Sequence, residues 1–366
     1  MTKPWIVSIL LCVVLSTVIG SLWLHEINAY SNSPRQITNQ NEIDSYIEKS
    51  QRDHKDEEKY IVPVGFFTQS IKFINSSDVN LTGYIWHKYP LDFPDSLKQG
   101  FIFPEGVETT NAIIKEAYTE QHDNYLLKGW YFEVTVRQSF DYRKFPLDRK
   151  TVWLRLWSKD WSRSIRFVPD LESYASVDQG IAFGMDQNTV MGQWKIFETY
   201  FDYNNIEYDT NFGSDYQPGT NNLELYYNIV VGRKFVNAFV IYLVPLFIIL
   251  AMLFSILMMI TRSDKRKDIF GSSTSGAIGS TVALFFVVTL THANIRQQFA
   301  GAGLVYIESF YFIAYIMILL VSLNTYHFTS TNNDYRLYKN DNLIAKLLYW
   351  PVVLLLMLLT TLHYFH

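Results

Sequence analysis

Four long apolar segments limit what this chain can fold into more than any other feature. They are Phe235–Ile260, Gly271–Ile295, Leu304–His327 and Leu343–His363. Each is long enough to cross a bilayer as a helix, the form in which a spanning backbone satisfies its own hydrogen bonds. The sequence therefore predicts a four-span transmembrane domain over residues 233–366.

The charges divide the chain in the same place. Residues 25–232 hold 30 of the 35 acidic and 20 of the 31 basic side chains, whereas residues 233–366 hold 5 acids and 10 bases. This predicts an acidic soluble domain ahead of the membrane domain. An acidic domain gives no expectation of a nucleic-acid partner. The only cysteine is Cys12, so the domain has to hold together without an intramolecular disulfide.

The N-terminus predicts export. Residues 1–24 contain Lys3 followed by an apolar run, which is typical of a signal peptide or an uncleaved signal anchor. Residues 25–60 are polar and charged, and we expect a linker with one short helix around Asn41–Gln51.

Residues 61–232 have the pattern of short strands separated by turns. The predicted strands are Ile61–Phe67, Ile71–Ile74, Leu81–His87, Tyr125–Arg137, Thr151–Trp157, Ser164–Val168, Gln193–Tyr203 and Leu223–Val231. We expect an all-β, immunoglobulin-like sandwich followed by the four-helix bundle, with one or two helical turns at Asn111–Gln121.

The loops between the spans predict the orientation. Basic side chains concentrate after the first span and around the start of the fourth: Arg262, Lys265, Arg266, Lys267, Arg336, Lys339 and Lys346. The loop after the second span carries only Arg296. Basic loops stay in the cytoplasm, so the large domain and the C-terminus are expected outside.

The second span, Gly271–Ile295, has no charged residue and is rich in Ser and Thr. At helical spacing, one stripe carries small or hydroxyl residues at one end and bulky apolar ones in the middle. The stripe is Thr274, Ala277, Thr281, Leu284, Val288, Thr291 and Ile295. A pore uses hydroxyls to replace part of an ion's water shell and an apolar ring to close. A helix buried in a bundle is the alternative interpretation, since small and hydroxyl residues let helices approach.

Three motifs resemble one family. Phe140–Asp148 (FDYRKFPLD) is similar to its signature loop, Leu81–Trp86 to an early strand, and Gly232–Lys234 with the later Pro245 to its entry into the membrane. Over roughly residues 61–366 the chain resembles the pentameric ligand-gated ion channels, the Cys-loop receptor superfamily. The missing cysteines and the short connection between the third and fourth spans are similar to its prokaryotic members.

The resemblance implies a homopentamer whose pore is lined by the second span. Leu284 would be the hydrophobic gate. The implied pore-lining residues are Thr274, Ala277, Thr281, Leu284, Val288 and Thr291, whereas a slip of one residue would place Phe285, Thr289 and His292 on the axis. The implied coupling residues are Phe145, Pro146, Asp148, Arg233 and Arg296. No Glu lies at the cytoplasmic mouth, so ion selectivity stays open, with a preference for cations from the acidic outer domain.

By the same resemblance, an external ligand binds between neighbouring β domains among aromatic side chains, where a cation can lie on ring faces. The candidates are Phe103, Glu105, Trp157, Trp161, Tyr203 and Tyr208 on one face, with Tyr216, and Trp86 and Tyr89 on the facing side. Protons are the other open agonist, given many carboxylates and the histidines His54, His87 and His122.

These features together predict a ligand-gated channel of a bacterial inner membrane, with lipids, permeant inorganic ions and a small molecule or proton as partners. No catalytic arrangement, cofactor motif or metal-ligand spacing is recognisable, so an enzyme is not expected. The alternative is a non-conducting membrane sensor. A channel needs the stripe at 281, 284 and 288 exposed to water, whereas a sensor buries it.

Overall fold

The chain folds into two units that are interleaved in sequence. The computed structural model describes residues 3–29, 35–53, 60–107, 112–160, 165–213, 221–263, 273–299, 303–330 and 339–365. The sheet unit comprises Ser31–Phe140 and Arg149–Gly232. The helical unit comprises Met1–Tyr30, Asp141–Asp148 and Arg233–His366. The octapeptide Asp141–Asp148, here named the inserted loop, thus connects two strands in sequence yet belongs to the helical unit.

The sheet unit contains these strands in its described part: β1 (Tyr60–Phe73), β2 (Asp78–Pro90), β3 (Phe101–Ile102), β4 (Ile113–Gln121), β5 (Tyr125–Arg137), β6 (Arg149–Arg155), β7 (Trp157–Ser158), β8 (Ile165–Pro169), β9 (Trp194–Glu207) and β10 (Asn221–Arg233). One sheet has the order β4-β5-β2-β1-β8, a second has β6-β10-β9, and β3 pairs with β7. Strand β1 is antiparallel to β2 and parallel to β8.

Aromatic side chains fill the space between the two larger sheets. The ring of Phe66 on β1 stacks on Tyr227 of β10 at 4.9 Å and lies 6.3 Å from Phe201 of β9. All three side chains are buried. Each large ring removes much apolar area from water, and this sandwich-like core can hold the unit together without a disulfide.

Two strand predictions differ from the structure. The segments predicted as Ile61–Phe67 and Ile71–Ile74 form one strand, because the polar Gln69-Ser70 is an irregularity between Thr68 and Ser70 and not a turn. The helical turns expected at Asn111–Gln121 are wrong. Within this segment, Ile113–Gln121 forms the edge strand β4, where pairing with β5 outweighs its mixed local propensity.

The helices are α1 (Lys3–Asn28), α2 (Gln40–Asp53), α3 (Phe235–Met259), α4 (Thr274–Gln298), α5 (Tyr306–Ser330) and α6 (Lys339–Phe365). Among the described residues, five of them, all except α2, are long and apolar enough to cross a membrane. This indicates a membrane protein. Four were predicted after residue 232, and the fifth is α1.

The predicted linker 25–60 is packed over part of its length. Helix α2 belongs to the sheet unit, and Ile37 and Ile43 have no exposed surface. Ile37 N–H donates to Phe201 O at 2.9 Å, and the Tyr46 ring lies 5.4 Å from Tyr203. Sparse apolar residues in a polar segment are enough to dock it when they share one face.

Polar contacts tie the long helices to one another. Tyr306 and Thr361 hydroxyls are 2.7 Å apart between α5 and α6, and Ser322 Oγ on α5 donates to Thr281 Oγ1 on α4 at 2.9 Å. Lys346 Nζ donates to the carbonyl of Ile260 at 2.9 Å. Such bonds hold helices together where burial of apolar surface contributes little.

Candidate functional site

The inserted loop is bonded to the start of α5. Tyr306 N–H donates to Arg143 O at 2.8 Å, and Ile307 N–H donates to Phe145 O at 3.2 Å. The Phe145 ring is fully buried, 4.5 Å from the Phe299 ring after α4 and 5.2 Å from Tyr242 of α3. The loop that joins β5 to β6 therefore contacts the ends of three helices.

Asp148 and Arg233 form a buried ion pair at the same place. Arg233 Nε donates to Asp148 Oδ1 at 2.9 Å, and the two side chains are 10% and 2% exposed. The guanidinium also lies 4.7 Å from the Phe145 ring. Arg233 is the last residue of β10 and α3 begins at Phe235, so the pair joins the loop to the point where the chain passes between units. The structure thus brings together Phe145, Asp148 and Arg233, with Pro146 between them in a cis peptide.

A second charged cluster lies where α4 ends and α5 begins. Glu308 has no exposed surface, and its Oε2 accepts from Val305 N–H at 2.9 Å and from Arg296 Nη1 at 3.3 Å. Its Oε1 lies 3.4 Å from His292 Nε2. Arg296 was predicted to take part in coupling, whereas Glu308, its buried partner, was not recognised.

The central part of the predicted pore stripe is buried within the single chain. Thr281, Leu284 and Val288 are 1%, 7% and 0% exposed, because this face of α4 packs on α5 and α3. Thr291 is half-buried and bonds its own helix at Val287 O. The opposite face is open: Val282, Phe286 and Leu290 are 48%, 60% and 68% exposed.

Thr274 and Ala277, the first two members of the stripe, line a cavity of about 260 Å³. It lies between the last turns of α3 and α5 and the first turns of α4. Hydroxyl side chains dominate its polar lining: Thr261, Ser273, Thr274, Ser280, Thr325 and Thr329.

The predicted ligand residues are not all in one place. Tyr89, Phe103 and Tyr203 are buried in the core of the sheet unit. Trp86 donates its Nε1–H to Asp170 at 2.8 Å and covers Gly65. Trp161 and Tyr216 lie outside the described residues.

Trp157, Tyr208 and Glu105 do come together, around Glu224 and Arg155. Tyr208 O–H and Trp157 Nε1–H both donate to Glu224 Oε1, at 2.6 and 2.9 Å. Arg155 forms ion pairs with Glu105 and with Glu224. These five residues are named the aromatic–acid cluster.

A cation already occupies this cluster. The Arg155 guanidinium lies 5.4 Å from the Trp157 ring, which is where a cationic ligand was expected. Burial raises the pKa of Glu105 and of Glu224, although Arg155 opposes the shift in both. The cluster can therefore take up a proton more readily than exposed carboxylates can, and an external cation would compete with Arg155.

The histidines predicted to titrate have different environments. His87 is fully buried among the rings of Tyr89, Phe101 and Trp130, and burial lowers its pKa to about 3. It is therefore neutral at physiological pH, and the expectation that it senses protons is wrong. His122 is exposed beside Glu120, and His54 lies outside the described residues.

Asp202 is a buried carboxyl of the sheet unit whose pKa is also raised. Burial raises the pKa of Asp202 from 3.8 to about 6, although Asn228 Nδ2 donates to its Oδ1 at 2.7 Å and Arg35 is near. The raised pKa means that the folded chain keeps a proton that the unfolded chain has lost between pH about 4 and 6.

We expect stability to fall as pH rises through this interval. At about 1.4 kcal/mol per pKa unit, the loss above pH 6 is about 3 kcal/mol. Asp202→Asn keeps the contact with Asn228 and replaces the carboxyl by a neutral group that does not titrate. In thermal unfolding of the detergent-purified chain, the wild-type midpoint should drop more between pH 4 and pH 6.5 than the variant's midpoint does.

Asp78 provides the control for this experiment because its shift has the opposite sign. Arg137 donates to it at 2.7 Å and holds its pKa below the usual range. Asp78→Asn should therefore remove stability that is present at neutral pH and lost on acidification. Parallel pH profiles for wild type and Asp202→Asn would contradict the assignment to Asp202.

Several residues of these clusters were missed from sequence. Arg155 and Glu224 stand on β6 and β10, 69 positions apart, and only strand pairing brings them together. The available signal for Arg155 was a single charged residue inside the otherwise apolar predicted strand Thr151–Trp157. Glu308 had a clearer signal, since it is the only acid within the third apolar span.

Within the described ranges, no group of three or more His, Cys, Asp or Glu side chains is placed to hold a metal ion. Comparisons of the chain with protein-family models and with curated proteins returned no match.

Proposed function

We propose that this chain is a subunit of a homopentameric ion channel of the pentameric ligand-gated type. In this proposal the sheet unit is an immunoglobulin-like sandwich outside a bacterial inner membrane, and α3 to α6 form the four-span pore domain. A stimulus on the sheet unit changes the position of the inserted loop, which acts on the ends of α4 and α5. The ion selectivity that fits the acidic outer domain is cationic.

The inserted loop is the observation that carries the proposal. A loop that continues two strands and yet is packed among helix ends gives movement of those strands a direct route into the helical unit. The buried Asp148–Arg233 pair adds an element with two arrangements, paired or separated, of the kind that switching proteins use.

The exposed face of α4 supports assembly of several copies. Its first two turns present Ser275 and Gly279, both exposed. Small residues allow close approach of another helix. Further along, Val282 and Phe286 follow Gly279 at helical spacing and supply the apolar surface a closed gate needs.

In the conformation described here, the pore-facing side of α4 is therefore this exposed face. Leu284 stays a predicted gate only if α4 rotates about its axis on opening, since it is 7% exposed and packed within the protomer.

The stimulus that the sheet unit favours is a proton or a small ligand that displaces Arg155. Asp202, with a pKa of about 6, and the raised pKa values of Glu105 and Glu224 support the proton.

A matched pair of cysteines on α4 tests the proposal. In a Cys12→Ser background, Leu284→Cys lies on the buried face and Phe286→Cys on the exposed face. Currents are recorded from the reconstituted protein during external pH steps, with a charged thiol reagent applied. We expect current in the wild type and modification of Phe286→Cys roughly tenfold or more faster than Leu284→Cys in the closed state.

Each result has a distinct meaning. Rapid modification of Leu284→Cys in the closed state would support the pore but place the sequence-predicted stripe on its axis. Current without modification at either position would contradict α4 as the pore helix. No current at any pH, with the protein present in the bilayer, would contradict gating by protons.

A non-conducting membrane sensor is the second candidate, and burial of the stripe favours it. Thr281, Leu284 and Val288 are packed as they would be in a helix that only transmits contact. The same inserted loop would then pass a signal to α4 and α5. A change in the rate of thiol modification on α4 during pH steps, without any current, would identify this function.

A further inference from the structure

Helix α1 packs on the bundle with one face only. Leu15 and Ile19 are 9% and 5% exposed, whereas Val7, Leu10 and Val14 on the other face are more than half exposed. The packed face continues through Ser8 and Trp23 at helical spacing. Helix α1 contacts mainly α6. This arrangement is the one expected of a membrane-spanning helix at the edge of a bundle, with one side on protein and the other on lipid.

Specific bonds fix both ends of α1. Near its start, Ser8 Oγ donates to Leu347 O in the first turns of α6 at 2.6 Å. Near its end, Trp23 Nε1–H donates to the Tyr306 hydroxyl at 2.7 Å, and that hydroxyl also bonds Thr361 in the last turns of α6. The two helices therefore run parallel, with their starts at the same side of the bundle.

The last turn of α1 reaches the inserted loop. Glu26 Oε1 accepts from Lys144 Nζ at 2.7 Å, and the same ammonium lies 5.3 Å from the Phe365 ring at the end of α6. Trp23 also lies 5.8 Å from the Phe235 ring at the start of α3. Lys144 thus joins the loop to the ends of two long helices.

A cleaved leader would leave this network incomplete. The Tyr306 side chain, 1% exposed, would lose its indole donor and part of its cover, and Lys144 would lose its carboxylate. Buried hydroxyls and aromatic faces at a helix junction cost free energy when their partners are removed.

We infer that α1 remains in the mature protein as a fifth membrane helix, bound in parallel to α6, and that Glu26 positions the inserted loop through Lys144. The inference does not depend on conduction, since a channel and a sensor would both retain the helix. Lys3 then lies on the same side as Lys339 and Lys346, which agrees with the rule for basic residues.

The single cysteine gives a direct test of retention. Cys12 lies in α1, so a chain that has lost α1 has no thiol. The full-length protein with a C-terminal tag is purified from membranes, denatured and treated with a maleimide carrying a polyethylene glycol chain. We expect one mass increment in the wild type and none in Cys12→Ser. No increment in the wild type, alongside a full increment in Val190→Cys at an exposed position, would overturn the inference.

Two further comparisons test the packing and the positioning. Trp23→Ala should lower the unfolding midpoint by about 4 °C, and Leu24→Ala, at a 62% exposed neighbour, should leave it within about 1 °C. Glu26→Lys and Lys144→Glu should each alter the response of the protein to external pH, measured as current in a channel or as thiol modification on α4 in a sensor. The double exchange should restore the wild-type response. Equal effects of Trp23→Ala and Leu24→Ala, or a failure of the exchange to restore function, would overturn these roles.

Discussion

Replacing Arg233 by methionine is expected to destabilise the helical unit by about 3–5 kcal/mol, because it leaves Asp148 buried without its counter-charge. Methionine keeps most of the side-chain length and the contact with the Phe145 ring, so the change isolates the charge. The Asp148 side chain is 2% exposed and cannot turn to water without opening the loop. Thermal unfolding in detergent and the amount of protein in the membrane would measure the effect.

Lys234→Met is the matched control. It removes the same charge one residue later at an exposed position, where we expect a change within about 0.5 kcal/mol. Adding Asp148→Asn to Arg233→Met should recover a large part of the loss, since the buried charge is then gone. If Arg233→Met is as stable as Lys234→Met, the ion pair does not hold the loop.

Glu308→Leu is expected to cost about 2–3 kcal/mol and to loosen the junction of α4 and α5. The buried Val305 N–H loses its acceptor, which is the main penalty. Arg296 adds less, because its side chain is 43% exposed and can turn to solvent. Amide hydrogen exchange over residues 295–310 should rise in this variant, and, if the proposed channel is correct, the pH dependence of its current should shift with it.

Glu308→Gln separates the two contributions. A glutamine oxygen can still accept from Val305 N–H but carries no charge for Arg296, so an intermediate loss is expected. Ser309→Ala, which removes only a 3.4 Å bond to Tyr364, is the neighbouring control. A loss for Ser309→Ala equal to that for Glu308→Leu would show that any change at this turn of α5 has the same effect.

Helices and strands with a clear hydrophobic pattern were predictable from the sequence, whereas the elements that they pack against were not. Strand β5 begins and ends where its run of apolar and aromatic residues predicted, at Tyr125 and Arg137. Strand β4 was missed because an exposed edge strand has no apolar face to set its period. The long helices were predicted within a few residues, since length and hydropathy decide them.

The faces of α4 show why the candidate site was only partly predictable. Periodicity correctly groups Thr281, Leu284 and Val288 on one side, because helical geometry fixes which residues share a face. It cannot say which neighbour that face meets, since both sides of α4 are apolar. Asp148 and Arg233, 85 positions apart, were found only because a family resemblance supplied the pairing that distance in sequence hides.

The membership of the inserted loop in the helical unit has a practical consequence for anyone who wants to produce the sheet unit alone. A chain ended at Gly232 would retain Tyr142, Phe145 and Leu147, which are at most 8% exposed in the intact protein, but not Phe299 or Tyr242 against which the first two pack. Such a truncation would expose an apolar patch that is covered in the intact protein. An isolated sheet unit would need polar replacements at these three positions to avoid self-association through the newly exposed apolar surface.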